Sequence, residues 1–163
     1  MIRISYQRLE IKGTSLDTIK DNMSANTCKT NLSPQLIFRQ SYSGYTRKTF
    51  VGNWTKKGFW ITKFRLQLID FRPDIIANFK ILNLNENRQI EIRYSIGFSS
   101  LFFALFWIFF ASTIFIPLGN TGYIIGFLFL TMLYSILTRI ELDRLKNSIK
   151  DKLFAGIKID IMK

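Results

Sequence analysis

The sequence has no histidine and one cysteine. Without an imidazole the usual general base at neutral pH is missing, along with histidine-dependent nucleophile triads and most zinc sites. Cys28 cannot close an intramolecular disulfide, which argues against a bridge-stapled secreted domain, and its polar neighbours supply no base to activate a thiolate. Carboxylates are sparse, and Asp70 and Asp74, the close pair in the middle of the chain, flank Pro73 as solvated turn residues would. No catalytic residue, metal ligand or cofactor is therefore expected, and binding is favoured over catalysis.

A third absence organises the chain. Between Arg93 and Arg139 lie 45 residues without Lys, Arg, Asp or Glu, so all 23 basic and 11 acidic side chains fall outside that window. In hydrocarbon every peptide group must be hydrogen-bonded internally, and a central charge costs roughly 2.5–3.5 kcal/mol on insertion scales, so such a run suits helices in lipid. Residues 97–116 form a first span of about 30 Å at 1.5 Å per residue. Pro117 to Gly122 supplies the reversal, and residues 123–138 form a second, shorter span. Tyr94, Tyr123 and Tyr134 are placed as interfacial anchors.

The formal net charge is +12, and both flanks of the apolar run are basic while the reversal is uncharged. The positive-inside rule then puts both termini in the cytoplasm. Met1 to Lys12 carries Arg3, Arg8, Glu10 and Lys12 and lacks the apolar core of a secretory signal, which agrees with that placement.

Before the hairpin the pattern favours strands. Ile2, Ile4, Tyr6, Leu9 and Ile11 alternate loosely; Thr14 and Ser15 cap a short helix through Leu16, Ile19 and Met23; irregular chain follows to Ser33. From Leu36 to Tyr94 short aromatic and β-branched runs alternate with Gly, Asn and Pro, with Ser43-Gly44, Gly52-Asn53 and Lys57-Gly58 as turns and a bulged strand from Phe59 to Leu68. Ile75–Leu84 and Gln89–Tyr94 form the clearest hairpin. Five or six strands with one apolar face need a cover, by closing into a small barrel or packing on a helix. After Arg139, Leu142, Leu145, Ile149 and Leu153 share one helical face, Gly156 stops the helix, and Ile157, Ile159 and Ile161 alternate as a terminal strand.

In residues 47–65 six cations interleave with five aromatics. Arg47, Lys48, Trp54, Lys56, Lys57, Trp60, Lys63 and Arg65 could meet anionic lipid headgroups or a partner, protein before nucleic acid. In a strand pair the same residues give an aromatic core face and a solvated basic face. Gly122 and Gly126 match G-x-x-x-G, a spacing that lets two helices approach closely.

The run Tyr42 to Tyr45, then Phe50 to Ile61, Phe71 to Ile76 and Phe79 to Ile81, followed by a hairpin strand and two apolar helices, resembles small uncharacterised bacterial two-helix membrane proteins. The resemblance covers roughly residues 42–114 and implies a β-rich, pleckstrin-homology-like cytoplasmic domain, with the helix after Arg139 folding back to cap it. The resulting expectation is an α+β membrane protein: a basic β-rich domain in residues 1–95 built on a small antiparallel sheet or barrel, a transmembrane hairpin in residues 96–138, and an amphipathic helix with a short strand in residues 139–163. It would sit in the bacterial inner membrane as a binding protein, in the manner of a toxin-immunity protein or an accessory subunit of a membrane complex. A holin-like pore built from the hairpin and a lipid-modifying enzyme are the alternatives.

Overall fold

The computed structural model describes residues 2–11, 16–30, 48–55, 58–63, 73–84, 87–157 and 159–162. The chain is α+β. Its strands are β1 (Ile2–Ile11), β2 (Thr27–Lys29), β3 (Phe50–Thr55), β4 (Gly58–Lys63), β5 (Ile75–Leu84), β6 (Asn87–Ile96) and β7 (Ile159–Met162). Its helices are α1 (Leu16–Asn26), α2 (Phe98–Ser112), a 3-10 segment (Thr113–Leu118) and α3 (Gly119–Lys152).

The strands form one sheet in the order β2-β3-β4-β5-β6-β1-β7. It is mixed and open, neither wholly antiparallel nor a barrel. β2 runs parallel to β3, and β2 and β7 are the two edges. The loose alternation of β1 has a local cause: the register with β6 shifts between Arg3 and Ser5, which makes Ile4 the extra residue of a bulge. β5 and β6 pair from Ile75 opposite Ile96 to Leu84 opposite Asn87.

Period-2 alternation sends Phe59, Ile61, Ala77, Phe79, Ile90 and Ile92 to one face, where Ile19 and Met23 of α1 and Leu142, Leu145 and Ile149 of α3 complete the core. Phe59 and Phe79 stack across adjacent strands with centroids 4.1 Å apart. Tyr94, placed by the sequence at a membrane interface, is instead buried in this core, donating its hydroxyl to Gln7 Oε1 at 3.0 Å. Desolvation there pushes its phenol well above the usual range.

Two segments depart from expectation through tertiary hydrogen bonds. α1 runs on through Asn22 and Ser24 to Asn26, because Asn22 donates to the Leu153 carbonyl at 3.0 Å and Asn26 to that of Lys152 at 3.4 Å. Beyond it Thr27–Lys29 is a strand rather than irregular chain, and Cys28 is buried within it. The predicted turn at Ser43-Gly44, the strand extension through Leu66 and Leu68, and Asp70 lie outside the described residues.

The largest correction concerns the apolar region. The reversal is concentrated at Gly119, where φ is +77°; glycine alone takes that conformation cheaply. α3 starts there and continues unbroken past Arg139 to Lys152, so no separate C-terminal helix exists. Residues 119–138 alone give about 30 Å of apolar helix, which removes the shortfall of the predicted second span. β7 then pairs with β1, so the chain on either side of the helical pair returns to the same sheet.

Leu145, fully buried beneath the sheet, should cost about 2–5 kcal/mol when replaced by alanine. Leu128→Ala, on the exposed apolar half of the same helix, should change unfolding of the sheet by less than about 0.5 kcal/mol. Urea denaturation in mild detergent, followed by tryptophan fluorescence, compares the two.

Candidate functional site

Arg47, Lys56, Lys57 and Arg65 of the predicted basic aromatic surface lie outside the described residues. The other four members do not converge. β3 and β4 pair with Trp54 opposite Phe59 and Asn53 opposite Trp60, which puts the two indoles on opposite faces of the sheet. Trp54 tilts over Phe59 at 4.8 Å, whereas Trp60 is only 4% exposed. Lys48 donates to the carbonyls of Ser24 at 2.9 Å and Thr27 at 3.2 Å. A cation there satisfies carbonyls left open at the C-terminus of α1 and complements the helix dipole. Lys63 is half-buried at the end of β4, opposite Phe50.

Gly122 and Gly126 lie one turn apart in α3. A Cβ on Gly126 would run into the Phe115 ring, so this glycine makes room for the 3-10 segment of its own chain. Asp74 likewise acts through its backbone: its carbonyl accepts from Gly97 N–H at 3.1 Å and its N–H donates to Ser100 Oγ at 3.0 Å, clamping the first turn of α2 to the start of β5.

The most organised polar group sits on the other face of the sheet, where α1 and α3 do not pack. Glu91, only 7% exposed, points there because its neighbours Ile90 and Ile92 fill the core. Tyr6 donates its hydroxyl to Glu91 Oε1 at 2.7 Å, and Arg93 donates to Oε2 at 3.0 Å. Arg8 Nε in turn donates to the Tyr6 hydroxyl at 3.2 Å, and the Arg3 guanidinium lies 4.7 Å from the Tyr6 ring centroid. Lys80 and Arg8 stand directly opposite Glu91 on the two neighbouring strands. The Tyr6 hydrogen bond, with Arg93 and Lys80, holds the Glu91 carboxyl below the usual carboxylate range, against the opposing effect of burial. Sequence reasoning passed over this group, although the outward positions of β6 carried its signal once Ile90, Ile92 and Tyr94 were assigned inward.

A second buried carboxylate, Glu141, lies just beyond the apolar half of α3 and pairs with Arg144 at 2.9 Å. Among the described residues no three or more His, Cys, Asp or Glu side chains converge as a metal site. No protein-family model, curated protein or solved structure matches the chain.

Because folding lowers the Glu91 pKa, the unfolded chain binds protons more readily as pH falls. The stabilisation from this carboxylate is present above the unfolded pKa and is lost as pH drops through the folded one. Glu91→Gln should flatten the fall in stability between about pH 6 and pH 3 relative to the parent. Urea midpoints across that range check this, and parallel pH profiles would refute it.

Proposed function

We propose that this chain is a membrane-anchored binding protein in which α2, the 3-10 segment and the first half of α3 form a two-pass hairpin in a lipid bilayer. The observation that carries the reading is exposure. Two helices are long and apolar enough to cross a membrane, and only 6% of the apolar window in α3 is buried. Phe109, Ile114, Leu128 and Met132 are each more than half exposed. A soluble core helix would be covered, and a signal sequence would stand at the start of the chain rather than after six strands. Exposed apolar surface on this scale is costly in water at about 25 cal/mol per Å² and nearly free of cost in hydrocarbon.

Connectivity supports a sidedness for this reading. Both arms of the hairpin return to one sheet, which supports placing both termini in a single aqueous compartment, and the excess of Lys and Arg on both flanks favours the cytoplasmic face of a bacterial inner membrane. Binding rather than catalysis suits a chain without histidine, and the role fits an immunity protein or an accessory subunit of a membrane complex. The pore alternative is disfavoured by hydrogen bonding: Thr131, Ser135 and Thr138 each donate to the carbonyl four residues back. Their hydroxyl protons are thus committed to their own helix rather than offered to a water-filled lumen.

On this reading the protein stays with membranes through alkaline carbonate extraction. Tags at both ends resist external protease in intact spheroplasts and are cleaved together in inverted vesicles. Release by carbonate, or cleavage of one tag on each side, would overturn it.

A further inference from the structure

We propose that the exposed basic patch on the outer face of β5, β6 and β1, formed by Arg3, Tyr6, Arg8, Lys80 and Arg93, is a docking surface for an acidic segment of a protein partner, organised around the buried Glu91 carboxylate. The proposal rests on the membrane-anchored binding reading and specifies the kind of partner. Four exposed cations, Arg3, Arg8, Lys80 and Arg93, outnumber the two carboxylates that share this face, the buried Glu91 and the half-buried Glu10. Glu91 fixes Tyr6 and Arg93, and Tyr6 positions two more arginines, one at its hydroxyl and one over its ring. Arg8 spends its Nε–H on Tyr6 and, among the described residues, Arg3 makes a ring contact alone, which leaves the terminal guanidinium N–H groups of both for carboxylates. Rigidly held Tyr and Arg side chains are the types that concentrate binding energy at interfaces, and Tyr6 is 37% exposed.

Geometry favours protein over lipid as the occupant. α3 runs unbroken from its apolar half onto the inner face of the sheet, so the sheet stands alongside the helix axis and its outer face looks sideways from the bilayer. β6 enters α2 at Phe98, and at about 3.3 Å per residue Arg93 lies roughly 16 Å and Glu91 roughly 23 Å back along the strand. The headgroup layer is about 5–7 Å deep on each side. Salt confines the influence of lipid charge to about 8–10 Å. Lipid can therefore reach Arg3, paired opposite Ser95, but not the row of Arg8, Glu91 and Lys80. An acidic protein segment laid along the strands reaches all four cations.

The test is an anisotropy titration of a fluorescent deca-glutamate peptide with the full chain in neutral detergent. The triple variant Arg3→Gln, Arg8→Gln, Lys80→Gln is compared with Lys29→Gln, Lys150→Gln, Lys152→Gln, which removes the same charge from exposed positions elsewhere. The first should weaken binding at least about tenfold and the second less than about threefold. Arg8→Gln alone should weaken it about threefold, which keeps the test valid if the triple variant folds poorly. Equal losses in the two triples, or no loss in the first, overturn the proposal. So does a first triple that loses binding to vesicles containing phosphatidylglycerol while its peptide affinity is unchanged, which assigns the patch to lipid. Because the titration is run in detergent, its outcome is independent of whether the hairpin crosses a membrane.

Discussion

One helix changes its character halfway along, from uncharged and exposed to amphipathic and packed on the sheet, and the rest of the architecture depends on that change. α3 is apolar on every side to Thr138 and amphipathic from Arg139 onward, yet its backbone is continuous. An interruption at Arg139 would leave carbonyls and N–H groups unpaired where the uncharged half of the helix meets the amphipathic half, and on the proposed reading that point lies at the edge of the bilayer, where capping partners are scarce. Continuity avoids that cost. It also couples the halves mechanically, because the turn that carries Leu142 into the sheet core is rigidly joined to the one that carries Thr138.

The sheet is correspondingly two-sided in chemistry. On its inner face α1 and α3 supply the cover that the strand pattern called for, and Lys48, Asn22 and Asn26 stitch the end of α1 to its surroundings through backbone carbonyls. On its outer face Glu91 is desolvated but fully engaged, accepting from a tyrosine and an arginine. A buried carboxylate is tolerable only when so satisfied. Its neighbours inherit fixed positions from it, which turns a scatter of basic residues in the sequence into an ordered patch.

Much of this was legible from the residues. The uncharged window, the β5–β6 hairpin, the capping stripe of Leu142, Leu145 and Ile149 and the terminal strand all follow from periodicity and charge. Three kinds of feature were not. The parallel pairing of β2 with β3 joins segments whose contact no local pattern encodes. The continuity of α3 was hidden because Arg139 ends the uncharged run, and a switch from uniformly apolar to amphipathic residues reads in sequence like a change of element. The basic aromatic segment drew attention by its composition, but pairing sends Trp54 and Trp60 to opposite faces, whereas the cluster around Glu91 draws on three strands and shows in no single stretch.

The most direct test of a helix shared between oil and water is cysteine accessibility in native membranes. In a Cys28→Ser background, Leu128→Cys and Asn147→Cys place one thiol in each half of α3, both at positions exposed on the isolated chain. The account predicts that a charged, water-soluble maleimide labels the Asn147→Cys protein in opened vesicles and leaves the Leu128→Cys protein unlabelled until detergent is added. Equal labelling of the two before detergent would contradict it.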